Sequence, residues 1–244
     1  MKHRLRVVRA HLLAWIGLAR MARAISRGQV DQVWLGESNA AFFGGDRFPA
    51  LGVGSTVERR WVWHLGPRLM YSVARDDFTP ALHRAARLLG RLPGNRDVVW
   101  IFSLGEIDIR CHLAPRVMAG GDVDFVAAYV DRLRGLLRDL GSPLGVVMVP
   151  VPPATQQFVH ESFPVRGTNE ERLATHGVLR KQLVEELAAS SSATPRLVLL
   201  DATDDLSDDD GWFRAELHTD GVHPNDAGRE VAQAALRRLL EHTP

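Results

Sequence analysis

The chain has 244 residues, 45% of them hydrophobic and 24% charged, with a formal net charge of +1. That is enough chain for one α/β domain with a full core, and so even a charge balance gives no electrostatic case for nucleic acid as a partner. A single cysteine, Cys111, excludes an internal disulfide and a thiol-rich metal site and fits a reducing, cytoplasmic setting.

In chain order, residues 5–27 predict an amphipathic helix, with Leu12, Leu13, Ile16, Leu18, Met21 and Ile25 spaced for one apolar side. The basic Met1–Arg9 segment followed by apolar Leu12–Ala19 also has the outline of a signal peptide or of a membrane-surface helix. Arg20 and Arg23 interrupt that run, which is far short of the roughly 20 residues needed to span a bilayer. The expectation is a helix over residues 1–28 docked on the domain, on a partner or on a second copy, without stable membrane insertion. Residues 29–244 form the domain itself.

Short apolar runs at Gln32–Leu35, Val98–Ser103, Leu144–Val149 and Leu197–Leu200, with a weaker one at Trp61–Leu65, predict buried strands. Helical patterns at Thr79–Leu92, Val123–Leu140, Asn169–Ala188 and Asp226–His242 lie between or after them. This alternation predicts a parallel sheet covered on both faces, a three-layer α/β/α sandwich. In such sheets ligands bind beyond the carboxyl ends of the strands. Ser38 follows the first strand, Gly105–Arg110 follows Val98–Ser103, and the proline-containing Val151–Thr168 segment is a candidate substrate-facing loop.

Ser38 in Gly36-Glu37-Ser38-Asn39 has two readings, a nucleophile at a strand-to-helix turn or a helix N-cap. Asp220, three residues before His223, is spaced so that the carboxylate can fix the imidazole tautomer and aim the ring at a hydroxyl. A turn followed by Pro224 at the start of a helix is the plainer alternative. His218 has no carboxylate at the same offset. The ten histidines show no metal-ligand pattern, and no glycine-rich phosphate loop follows a strand, so neither metal nor cofactor is expected.

Leu35-Gly-Glu-Ser-Asn39, Gly105-Glu-Ile-Asp108 and Asp220-Gly-Val-His-Pro-Asn225, in this order, resemble blocks I, III and V of the SGNH/GDSL hydrolase superfamily. The resemblance covers about residues 30–242 and implies a flavodoxin-like sheet and a serine esterase, deacetylase or acyltransferase acting on a small acyl ester such as an acylated metabolite or sugar. It also implies Ser38 as nucleophile, His223 as base and Asp220 as its orienter, with Gly66 the best match for the block II glycine; Gly52 and Gly54 are rivals. Two departures stand out. Glu37 replaces the usual aspartate, and Ile107 occupies the place of an asparagine that donates to the oxyanion. Arg110, Glu106 and Asn39 are candidate oxyanion or substrate contacts, with Arg110 the candidate replacement donor; the alternative for Arg110 is a salt bridge to Glu106 or Asp108. Loss of the asparagine also leaves open a non-catalytic binding protein on the same fold.

Overall fold

The apolar runs become one six-stranded sheet, and the segments between them become helices on both of its faces. The computed structural model describes residues 2–45, 52–121, 123–157, 161 and 163–243, with side chains from Ala14 onward except Thr56. In order these are α1 (Lys2–Ser26), β1 (Gln32–Gly36), α2 (Ser38–Gly44), β2 (Gly52–Val57), β3 (Arg60–His64), α3 (Met70–Asp76), α4 (Pro80–Gly90) and β4 (Val99–Ser103). There follow α5 (Glu106–Asp108), a π-helical turn over Ile109–Leu113, α6 (Ala114–Met118), α7 (Val126–Leu140), β5 (Leu144–Met148), α8 (Asn169–Ala189), β6 (Arg196–Leu200), α9 (Thr203–Leu206) and α10 (Asp226–Glu241). Among the described residues no helix is long and apolar enough to cross a membrane.

The strand order is β2-β3-β1-β4-β5-β6. From β3 to β6 every pairing is parallel, and that portion has the 2-1-3-4-5 order of flavodoxin-like folds. The expected all-parallel sheet needs one correction: β2 runs antiparallel to β3 along the edge. Its Gly-Val-Gly-Ser sequence has no apolar run because an edge strand is held chiefly by backbone pairing and tolerates glycine. Glu58 and Arg59 form the tight turn into β3, with Arg59 at φ 60° and its guanidinium on the Asp31 carboxylate at 2.6–2.7 Å.

Period-two alternation divides the core into two layers. Val33, Leu35, Trp61, Trp63, Trp100 and Phe102 face α1, α3, α4, α7 and α8. Trp34, Val62, Ile101, Val146 and Met148 face α2, α9 and α10. The three tryptophans Trp61, Trp63 and Trp100 are therefore core residues, each at most 8% exposed. Helix α1 docks through fully buried Met21 and Ile25. Gly17 lets its backbone approach β2 so closely that a Cβ there would lie 2.1 Å from the Val53 carbonyl oxygen.

On the same face of the sheet, α8 is fastened to the end of β5. Buried His176 lies 2.9 Å from the Pro150 carbonyl through Nε2. Burial pushes its pKa down, so the neutral ring donates its N–H to that oxygen.

Gly36 ends β1 where β1 and β4 approach most closely. A Cβ at this position would sit 1.9 Å from the Ser103 carbonyl oxygen, and neither strand can move without breaking the ladder. Gly36→Ala should therefore destabilise the fold by about 2 kcal/mol or more, read as a lowered midpoint in urea. An unchanged midpoint would show that the strand ends yield more easily than this packing implies.

Candidate active site

Gly36, His64 and Ser103 lie level with one another across β3, β1 and β4. Two residues further along each chain stand Ser38, Gly66 and Gly105, so the register alone delivers all three to one end of the sheet. Ser38 opens α2 directly, with Glu37 at the N-cap position. It is therefore the first helical residue and not the cap, and its N–H has no acceptor within the helix. Gly66 turns the chain with φ 76°, and Gly105 does so with φ 114° beneath Met70 and Pro150, where a Cβ would come within 2.8 Å of both side chains.

The Asp220–His223 loop closes the arrangement from the other end of the chain. His223 Nε2 lies 2.9 Å from Ser38 Oγ, although the residues are 185 positions apart, and His223 Nδ1 lies 2.7 Å from Asp220 Oδ2. The second carboxylate oxygen, Asp220 Oδ1, accepts the backbone N–H groups of Val222 and His223 at 3.0 and 2.8 Å. Burial opposes ionisation of Asp220, but the His223 ring and these N–H donors outweigh it and hold its pKa down at about 2. The proton on this edge therefore belongs to Nδ1, which leaves Nε2 as the acceptor toward Ser38.

Phe42, one turn beyond Ser38 on α2, stacks on the His223 ring with centroids 4.5 Å apart. Gly221, at φ 79°, brings this loop against the backbone of Gln156, which a Cβ would meet at 1.9 Å. His218 instead accepts the Gly221 N–H at 2.9 Å and packs on Phe213.

Block III turns inward. Arg110 forms a two-point ion pair with Glu106, at 2.6 and 3.1 Å, and donates to the Phe163 carbonyl at 2.9 Å. Both partners are at most 6% exposed, so this guanidinium and carboxylate face each other and hold the 163–166 segment, where the Arg166 N–H also donates to the Arg110 carbonyl. Asp108 accepts the N–H groups of Met70 and Tyr71 at 2.7 and 3.1 Å. It thereby pins the start of α3 and the Gly66 turn just ahead of it.

Glu37 reaches back to accept the Glu106 N–H at 2.9 Å, and Asn39 is buried beside it, 2% exposed. Neither amide atom of Asn39 nor the second Glu37 oxygen has a protein partner. Ile107 is buried and has no side-chain donor. Among the described residues no group of three or more His, Cys, Asp or Glu side chains is placed to hold a metal ion.

Sequence reasoning did not find the Phe42 stacking or the Glu37 bond to block III. Phe42 was detectable as the residue four after Ser38 on the same helical face. Glu37 differed visibly from the family pattern, but nothing in the sequence said where its carboxyl would reach.

Solved structures match this chain almost end to end. A protein provisionally named an acylhydrolase from Bacteroides fragilis aligns with 13% identity and a TM-score of 0.52, over 93% of this chain and 97% of its own. One provisionally named a platelet activating factor, from Streptococcus pneumonia, aligns with 15% identity and 0.51, over 97% and 98%. A GDSL-like lipase from Bacteroides thetaiotaomicron aligns with 11% identity and 0.50, over 86% and 87%. The chain has the SGNH/GDSL hydrolase fold. No protein-family model and no curated protein matches its sequence, so the likeness is one of fold.

Within this SGNH fold the buried carboxyls titrate in two separate windows. Burial pushes Glu37 well above its ordinary 4.5, and the Glu106 and Asp108 carboxyls add to the effect. Burial likewise lifts Asp108 from 3.8 to about 6, against the pull of the Tyr71 and Met70 N–H groups. Both bind protons more tightly folded than unfolded, so stability falls as pH rises above about 4. Asp220 has the opposite sign: its contribution is complete above 3.8 and is lost as pH falls toward 2. Glu37→Gln removes one proton-binding group from the upper window and should lose less stability than wild type between pH 4.5 and pH 8. Denaturant titrations across that range check this, and an equal loss in both proteins would contradict it.

Proposed function

We propose that the protein is a serine-dependent ester hydrolase acting on a small acylated metabolite or sugar. The observation that carries the reading is the continuous hydrogen-bonded line from Ser38 Oγ through the His223 ring to Asp220, at 2.9 and 2.7 Å. A hydroxyl becomes an effective nucleophile only when a base can take its proton as it attacks, and here Nε2 stands at the needed distance in the accepting tautomer.

His223 Nε2 removes the Ser38 proton as Oγ attacks the ester carbonyl. The electron pair of the carbonyl π bond moves onto oxygen, and the backbone N–H groups of Ser38 and Gly66 stabilise that charge. Collapse breaks the bond to the alcohol oxygen, which takes the proton from the imidazolium, and the acyl group remains on Ser38. His223 then deprotonates a water that attacks the acyl-serine, releasing the carboxylic acid and restoring the hydroxyl. Asp220 orients the ring throughout and stabilises its charged form.

Arg110 and Glu106 satisfy each other, and in this reading they hold the wall of the cleft. That leaves the oxyanion with backbone donors in place of the asparagine amide lost at Ile107.

Ser38→Ala should lower kcat/KM for p-nitrophenyl acetate by roughly a thousandfold or more. A fluorophosphonate probe should label the wild type at Ser38 and leave the variant unlabelled. Full activity in Ser38→Ala would remove the nucleophile assignment.

A further inference from the structure

The charges of this near-neutral chain are unevenly placed. Helix α1 carries Lys2, Arg4, Arg6, Arg9, Arg20 and Arg23 and no acidic residue. Of the chain's 30 basic residues, 24 are left to the remainder, against all 29 acidic ones. One helix thus has a formal charge of +6 and everything else −5. Arg20 and Arg23 are exposed, and among the described residues neither forms an ion pair.

Large apolar side chains share that outward surface. Trp15 is 59% exposed and Ile16 48% exposed, while the helix faces the domain through Gly17, Met21 and Ile25. Trp15 and Leu18 also form one wall of a shallow apolar groove completed by Val53, Trp63, Leu65 and Leu82. Fold stability does not require an exposed tryptophan beside an exposed isoleucine, and a solvated helix face would carry polar residues there. Tryptophan and arginine together suit a surface that is apolar just beneath a layer of negative charge.

We propose that α1 is a docking helix for an anionic lipid bilayer. It lies in the headgroup plane with Trp15 and Ile16 in the acyl boundary and Arg20 and Arg23 on lipid phosphates. The charge distribution selects this occupant. A second copy packed helix to helix would oppose +6 to +6, and nucleic acid would satisfy the arginines while leaving Trp15 and Ile16 in water. Leu65, in the groove wall, immediately precedes Gly66, so the docked face and the candidate cleft share an edge. The proposal does not depend on the hydrolase reading.

The test uses the full chain and sedimentation with vesicles of phosphatidylcholine alone or mixed with phosphatidylglycerol. The protein should sediment with the mixed vesicles, bind neutral ones at least about tenfold more weakly, and be released by salt. Each basic residue near an anionic surface contributes about fivefold in affinity, so Arg20→Glu with Arg23→Glu should weaken binding by roughly tenfold or more. Trp15→Ser should weaken it on the same vesicles. These positions are exposed, so both variants should keep the wild-type urea midpoint, which separates lost docking from lost folding.

Equal binding to neutral and anionic vesicles would overturn the proposal, as would no binding to either. So would a Trp15-dependent dimer by light scattering, or an oligonucleotide bound as tightly as the anionic vesicles.

Discussion

Because β1, β3 and β4 pair with Gly36, His64 and Ser103 level, the segments that follow them leave the sheet at one height. The candidate site depends on this. A shift of one residue in either pairing would turn the buried alternation of Val33, Trp34 and Leu35 inside out, so the core that stabilises the sheet also fixes where Ser38 emerges. Gly36 makes the last step of that ladder physically possible, since its missing Cβ is the space occupied by the Ser103 carbonyl. The Asp220–His223 loop must then be brought to the same height from a distant part of the chain, and its close seating on Gln156 through Gly221 does so.

Around this framework, charge is handled differently on the two sides of Ser38. Asp220 is half-buried but receives two backbone N–H groups and the histidine ring, which favours its ionised form. Glu37 is buried with a single backbone donor and with Glu106 and Asp108 nearby, which favours its protonated form. The surroundings of Asp220 therefore favour its charged form, and those of Glu37, next to Ser38, favour its neutral form. In the proposed reaction a negative Glu37 next to Ser38 would work against a negative charge developing on the substrate oxygen, so surroundings that favour its protonated form suit acyl chemistry in a way that its substitution for aspartate does not by itself reveal.

The sequence made the sheet readable because buried parallel strands are short, apolar and separated by helices, as at Val99–Ser103 and Leu144–Met148. It concealed β2, whose glycines and serine carry no apolar signal, since pairing along an edge is a backbone matter. It also concealed α3 and the Glu106–Met118 helical run, which are short and are fixed by contacts distant in sequence, such as Asp108 with Met70 and Tyr71. The pairing of Ser38, His223 and Asp220 was legible because two of the three lie within one turn and the third follows a strand. Whether Arg110 would face a ligand or Glu106 was not legible, because both lie within its reach and only the seating of residues 163–166 distinguishes them.

That seating bears on how the proposed hydrolase would work without the asparagine amide. A side-chain donor can be positioned by local rotamers, whereas backbone donors are positioned only by the segments to which they belong. With Ile107 in place of a donor, charge stabilisation in the proposed reaction would fall to N–H groups on the α2 start and the Gly66 turn, and both segments are held by buried polar contacts to block III. Glu37 ties the first to the Glu106 N–H, and Asp108 ties the second through Met70 and Tyr71. Glu106 is in turn locked by Arg110. The altered block thus contributes rigidity to N–H groups it does not itself supply, and in the proposed reaction their preorganisation would rest on the acidic side chains of Glu37, Glu106 and Asp108.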